Sequence, residues 1–292
     1  MDPRGPDPVL IGREAERQRL AENVATGRPT LLVGPIGVGK SYLLRAVART
    51  LPRVLGVDHV WPVRTSLLAL CQALHAAQHL TLPGLDAAAL PWPDCARKLA
   101  RLTIPALTDV VTAGLCGRQY VLILDQLDEV TPSLMPTLER LLAEALILGA
   151  TRQLRPAYQK LWWAFDRIDL PPLTRDETRQ LLWTVAERDQ ISDPTMFEAK
   201  VLAQAAGNPY ALLEMVKQVA GVPRVSRQAI RDLSHAAGIR YFDLTPLVLL
   251  VGAGLIAARF LARGFDDRDL YVIAGGLGAL FVVVRYLLSR RR

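Results

Sequence analysis

The sequence predicts an α/β fold: a parallel sheet with helices around it, a small all-helical segment after it, and a C-terminal pair of membrane-crossing helices. Three observations predict this. A buried-strand pattern, Thr30–Val33, runs into the glycine-rich turn Gly34-Pro-Ile-Gly37-Val38-Gly39-Lys40-Ser41 and then into a helical pattern reaching about Leu51. A second wholly apolar strand pattern, Tyr120–Leu124, ends in Asp125, with Asp128 and Glu129 just beyond. Two apolar runs, 244–261 and 270–288, close the chain, each near the roughly 20 residues that cross a bilayer as a helix.

Composition agrees with a mixed soluble and membrane chain. At 292 residues there is material for one large or two modest domains. The chain is 51% hydrophobic yet 22% charged, and its mean hydropathy of +0.20 is high for a wholly soluble protein. The net charge of +7 comes mainly from arginine, and a basic surface of this kind serves anionic lipid or nucleic acid. No nucleic-acid module signature is present to favour the second. Cys71, Cys95 and Cys116 have no CxxC pairing or histidine spacing, which excludes a zinc module and a disulfide framework and leaves reduced packing residues. The opening MDPRGPDPVL lacks the pattern of a secretory leader, and residues 1–9 read as a flexible tail.

The strand, glycine turn and helix in succession form a phosphate-binding loop of the GxxxxGK[ST] type. Gly34, Gly37, Val38 and Gly39 let backbone N–H groups turn toward phosphates, and the helix start through Lys40, Ser41 and Tyr42 adds its positive dipole end. Lys40 reaches the β- and γ-phosphates and Ser41 ligates Mg²⁺. Hydrolysis also needs a carboxylate at the tip of a neighbouring strand. Asp125 supplies it as the second magnesium ligand, and Asp128 or Glu129 orients and activates the attacking water. The plainer alternative for these two acids is a cap and first-turn charge on the next helix. The motif implies a nucleoside triphosphate and Mg²⁺ as cofactors, and the resemblance that follows implies that the nucleotide is ATP.

The strand stretch VLILDQLDE resembles the acidic signature of NACHT-type members of the STAND class, a branch of the AAA+ P-loop ATPases. Other pieces follow in that class's order. IGREAERQRL resembles the element preceding the phosphate loop, where Arg13 would help hold the adenine. LILGATRQL resembles the sensor-1 strand, with Arg152 meeting the γ-phosphate, and AAGNPYALLEMV resembles the lid motif, with Pro209 near the nucleotide. The class implies protomer assembly, and of the basic residues after the sensor strand, Arg155, Lys160 and Arg167, the one chosen to serve a neighbouring protomer's nucleotide is Arg167, the alternative for each being a solvated charge. Gln126 and Tyr210 stand where many AAA+ members carry a catalytic glutamate and a sensor-2 arginine, which favours the STAND branch.

The organisation expected is therefore a P-loop ATPase domain over 10–171 and a helical lid over 172–222, opened by a capping box at Thr174–Glu177. Between the first helix and the acidic strand the stretch from Thr65 to Leu115 reads as mostly helical. Trp92, Trp162 and Trp163 are core residues or partner contacts. A basic linker, 223–243, leads to transmembrane helices at 244–261 and 270–288, joined by the acidic loop 262–269 and closed by the arginines of 289–292. Arginines on both outer flanks and aspartates in the loop place both ends on the cytoplasmic side. The alternative is an apolar helical hairpin packed on the soluble domain. The combined expectation is a membrane-anchored ATPase acting as an assembly switch, with nucleotide, bilayer, further copies of itself and a membrane or cytoplasmic protein as partners. The alternatives are the energising subunit of an envelope secretion, transport or DNA-uptake machine, or a non-hydrolysing scaffold.

Overall fold

The structure, a computed structural model, describes residues 10–57, 62–82, 90–220 and 224–233. Both C-terminal apolar runs, their connecting loop and the N-terminal tail lie outside the described residues. Among the described residues no helix is long and apolar enough to cross a membrane.

Five short strands form one parallel sheet: β1 (Thr30–Val33), β2 (Val54–Val57), β3 (Val121–Leu124), β4 (Leu146–Thr151) and β5 (Asp166–Asp169), in the spatial order β2-β3-β4-β1-β5. Each side of β1 and β3 is covered, which is why their sequences read as continuous apolar runs. Alternation still sorts their side chains. Leu31, Val33, Leu122, Leu124 and Ile147 face one core, shared with α3 (Val63–Ala76), α5 (Ile104–Leu115) and α6 (Met135–Glu144). Leu32, Val121, Ile123, Leu148 and Ala150 face the other, shared with α1 (Glu14–Ala25) and α2 (Lys40–Ala48). Each leucine buried in these layers contributes on the order of 2 kcal/mol, so the sheet is a stiff base for whatever its strand ends carry. A short α4 (Trp92–Leu99) completes the first layer.

Because the strands are parallel, their carboxyl ends share one edge. Val33 leads into the phosphate loop, Leu124 into Asp125, and Thr151 into Arg152, with β4 seated between β1 and β3. Gly149 on β4 has a structural reason to lack a side chain. A Cβ there would fall 2.4 Å from the Leu127 Cδ1 and 2.9 Å from the Leu31 Cδ1. Leu127 can therefore pack down onto the sheet, which fixes the 3₁₀ turn Leu127–Glu129 that carries both acids.

The lid has its own core. Beyond the short α7 (Gln159–Trp162) and β5, helices α8 (Arg175–Val185), α9 (Pro194–Ala205), α10 (Pro209–Val219) and α11 (Arg227–Asp232) pack around Phe197, Leu182, Leu212 and Met215. The expected capping box is present: the Thr174 hydroxyl accepts from the Glu177 N–H and the Glu177 carboxylate accepts from the Thr174 N–H. The expected end of the lid at residue 222 needs correcting. Val225, Ile230 and Leu233 are buried in the same core, Val225 bridges to Ile191, and Arg227 pairs with Asp193 at 3.2 Å. Residues 224–233 thus belong to the lid rather than to a linker lying on a lipid surface.

The expectation of packing cysteines fails at one position. Cys116 is exposed, whereas Cys71 and Cys95 are buried as packing residues; burial pushes the Cys71 thiol up to about 12. Trp162 is buried and donates its indole N–H to the Arg155 carbonyl at 3.0 Å, Trp92 is partly buried, and Trp163 stands 76% exposed. Arg167 lies on the edge strand β5, paired with Asp169 on the same strand, which is the solvated-charge reading rather than that of an arginine projected for a neighbour.

Candidate functional site

The phosphate loop is held by an almost complete set of hydrogen bonds to its carbonyls. Buried donors and acceptors have to be satisfied, and here the donors come from several elements. The Lys40 ammonium caps the carbonyls of Gly34 and Pro35 at 2.7 and 2.8 Å. The Asn208 side-chain amide caps Ile36 at 2.7 Å, and the Tyr210 N–H reaches the Gly37 carbonyl at 3.2 Å. Arg13 donates to the Val38 carbonyl at 3.3 Å, and the Leu43 N–H closes the first helical bond onto Gly39 at 2.9 Å. Gly37 and Gly39 take φ values of +79° and +100°, which only glycine adopts readily. Alternating left- and right-handed residues of this kind turn successive N–H groups to one side and create an anion-binding concavity.

A cleft of about 280 Å³ opens beside this loop, lined by Gly37, Lys40, Ser41, Asp125, Asp128, Glu129 and Arg152 among others. The Ser41 hydroxyl donates to an Asp125 carboxylate oxygen, so the two expected magnesium ligands already meet. The other Asp125 oxygen accepts from the Gln126 N–H at 2.8 Å, and Gln126 sits at φ +55°, an uncommon backbone state for a residue with a Cβ. Among the described residues no group of three or more His, Cys, Asp or Glu is placed to hold a metal. Mg²⁺ keeps several waters and takes one or two protein ligands plus substrate phosphates, and Ser41 and Asp125 are of that kind. The donor set fits ATP with Mg²⁺: one buried ammonium, a hydroxyl touching a carboxylate, and a glycine concavity.

Asp128 and Arg152 form the second pair. The Arg152 Nε donates to Asp128 Oδ2 at 2.6 Å, a terminal guanidinium nitrogen joins it, and the Arg152 backbone N–H reaches Oδ1 at 3.4 Å. The Asp128 side chain is 5% exposed and that of Arg152 is 52% exposed, so the pair reaches from the protein interior to the cleft mouth. Burial alone would push the Asp128 carboxyl up. The hydrogen bonds and charge of Arg152 outweigh it and hold the carboxyl below its ordinary value. Lys40 is pushed below its ordinary value by burial, opposed by the charges of Asp125 and Asp128.

The Asp128 pair makes stability depend on pH in a definite direction. A carboxyl lowered in the native state stabilises the fold fully above its unfolded pKa of about 4, and that contribution is lost as pH falls through the lowered native value. Thermal melting followed from about pH 7 to about pH 3 should show this loss, and Asp128→Asn should flatten it. An unchanged acid slope in the variant would assign the effect to other carboxylates.

The expected site residues divide four ways. Gly37, Lys40, Ser41, Asp125, Asp128, Glu129 and Arg152 line one cleft. Gly34, Val38 and Gly39 build the loop beneath it, and Gly34 must lack a side chain because a Cβ would come 2.6 Å from the Leu170 carbonyl oxygen. Tyr42 is exposed on the first turn of α2, and Pro209 opens α10 beside the loop. Arg13, expected against an adenine, is buried with its guanidinium on the carbonyls of Val38 and Pro171, the second at 2.5 Å, and on Glu16. It ties the phosphate loop to the segment after β5. The residue that sequence reasoning missed is Asn208, whose only visible sign is its place between a glycine and a helix-starting proline, a cap position.

The sequence profile of the AAA ATPase domain matches residues 9–158, just over half of the 292-residue chain. The chain belongs to the AAA ATPase domain family. The match spans the phosphate loop, the acidic strand and the Arg152 strand, and ends before the lid. No curated protein matches this AAA ATPase domain chain in sequence. Among solved structures it is similar to AMPPCP-bound DnaA from Aquifex aeolicus, at 13% identity and a TM-score of 0.46, covering 72% of this chain but only 62% of that one. It is also similar to a Walker-type ATPase of Pyrococcus abyssi, at 14% identity and a TM-score of 0.48, covering 91% and 80% of the two chains. A STAND protein with a tetratricopeptide repeat sensor from Pyrococcus horikoshii shows 15% identity and a TM-score of 0.43, covering 71% of this chain and 30% of that one. With TM-scores below 0.5, these likenesses leave the assignment resting on the family match.

Proposed function

We propose that this AAA ATPase domain protein binds ATP with Mg²⁺, hydrolyses it slowly, and uses the bound state as a switch for self-assembly at a membrane. The observation that supports the chemistry is the meeting of Lys40, the Ser41–Asp125 contact and the Asp128–Arg152 pair around one cleft at the carboxyl edge of the sheet. Lys40 would exchange the Gly34 and Pro35 carbonyls for β- and γ-phosphate oxygens. Ser41 and Asp125 would hold Mg²⁺, which supplies charge neutralisation on the phosphates. Glu129 would take a proton from water as its oxygen bonds the γ-phosphorus and the bond to the β-phosphate oxygen breaks, releasing ADP and phosphate. Asp128, already engaged by Arg152, would hold that guanidinium for the γ-phosphate rather than act as the base.

The switch and its location rest on two supports. The order of motifs resembles the STAND class, and the apolar runs 244–261 and 270–288 have arginine-rich outer flanks with aspartates between them. On this reading the ATPase domain and the C-terminus face the cytoplasm, and the glycine-rich runs pack against each other or against a neighbouring copy. Phosphate release from Mg-ATP, together with light scattering of the detergent-extracted full chain in ATP and in ADP, tests the reading. Slow turnover and larger assemblies in ATP are expected. Continuous fast turnover would point to a motor, no turnover to a scaffold, and recovery of the full chain from its host without detergent would end the membrane assignment.

A further inference from the structure

We propose that Asn208 is a positioning residue that ties the lid to the phosphate loop, so that nucleotide at the loop orders the lid in large part through this side chain. The inference rests on the nucleotide-binding reading above and extends it to the lid. Asn208 uses both ends of its amide. Its oxygen accepts from the N–H groups of Tyr210 and Ala211, at 3.0 and 3.3 Å, capping α10. Its nitrogen donates to the Ile36 carbonyl at 2.7 Å, across 172 residues of sequence. The Tyr210 N–H adds the bond to Gly37.

The surroundings are built to place this amide. The turn before it has two successive left-handed residues, Ala206 at φ +48° and Gly207 at φ +79°. Gly207 lies against the strand-side segment: its carbonyl accepts from the Leu173 N–H at 2.8 Å, and a Cβ on it would meet the Leu173 oxygen at 2.3 Å. On the other side, a Cβ on Gly37 would fall 2.5 Å from the Asn208 Oδ1 and 2.8 Å from the Tyr210 Cβ. The glycine of the loop thus admits the lid as well as forming the concavity.

The direction of coupling follows from the carbonyls. Lys40 caps Gly34 and Pro35, and Asn208 and Tyr210 cap the next two residues. A phosphate that draws the Lys40 ammonium away leaves the first two carbonyls to re-seat, and a loop that moves to do so moves against its attachments to Asn208 and Tyr210. Behind Asn208, α10 carries Ala211, Leu212 and Met215 into the lid core, which also holds Val225, Ile230 and Leu233. A shift at Ile36 is therefore felt as far as α11, the last described element before the C-terminal segment.

Asn208→Asp separates the two jobs of the side chain. An aspartate oxygen still caps α10, but it has no N–H for Ile36 and sets a carboxylate against that carbonyl. Asn208→Ser, a cap without the reaching amide, is the second variant should the first fail to fold. The test is hydrogen exchange of the full chain with and without saturating Mg-AMPPNP, so that a change of affinity does not enter. In the natural protein nucleotide should slow exchange in both the phosphate loop with α2 and the lid helices α8–α11. In either variant the loop effect should persist while the nucleotide-induced slowing in the lid falls about five- to tenfold, the worth of a hydrogen bond or two. Wild-type coupling in the folded variants overturns the proposal, as does a natural protein whose lid ignores nucleotide while its loop responds. Absence of any loop response in the natural protein would instead overturn nucleotide binding itself.

Discussion

Lys40→Ala is expected to weaken ATP binding about 10- to 100-fold, the worth of one or two charge-assisted hydrogen bonds. Lys40 is only 8% exposed, and its ammonium is already held over the loop by the carbonyls of Gly34 and Pro35. Burial disfavours its charged form, and Asp125 and Asp128 offset that cost. Truncation removes the cation and leaves those two carboxylates facing an incoming polyphosphate, so repulsion adds to the lost attraction. Lys40→Met, which keeps the length of the stem, should behave like alanine because the charge is what matters. Calorimetric titration with Mg-ATP decides the point. Natural affinity in both variants would show that this loop does not hold the nucleotide phosphates.

The parts of the site written in consecutive residues were legible in the sequence. Strand β1, the glycine turn and α2 are local: a buried strand must be continuous and apolar, and the turn needs glycine at positive φ. The acidic strand and the Thr174–Glu177 capping box are legible for the same reason. Strand β2 gave no comparable signal, being four residues with a glycine at its centre, Gly56. It is a strand because β3 beside it supplies the register Val54↔Val121 to Val57↔Leu124, and such tertiary support overrides local preference.

The contacts that the sequence hides share a cause in distance along the chain. Nothing near Asn208 says that its amide will meet Ile36, and nothing near Asp128 says that its carboxylate will be held by Arg152, 24 residues on. Arg13 has the composition of a ligand-binding arginine, but the crossing of the segment after β5 turns it into a tie between two backbone segments. The lid's end was hidden by charge. Val225, Ile230 and Leu233 are three apolar residues in an arginine-rich stretch, and their burial follows from the groove that α9 and the 188–191 turn present to them. Composition reads such a stretch as basic linker, whereas packing uses its few apolar members.

Glu129→Gln should slow ATP hydrolysis about 100- to 10,000-fold, the range for removing a general base, while leaving ATP bound. Glu129 lines the cleft on the turn that Leu127 pins to the sheet, and the geometry sets it apart from its neighbour. Asp128 Oδ2 carries two guanidinium N–H groups and its carboxyl is held below the ordinary value, so it is a poor proton acceptor and a good holder of Arg152. Asp128→Asn and Arg152→Ala should therefore each reduce turnover by about 100- to 1,000-fold, and their effects should overlap. Residues acting as one unit are not additive, so the double variant should be little slower than the slower single variant. Single-turnover kinetics across the four proteins measures the overlap. Full multiplication of the two effects would mean that Asp128 and Arg152 act separately, and a silent Glu129→Gln beside an inactive Asp128→Asn would move the role of base to Asp128.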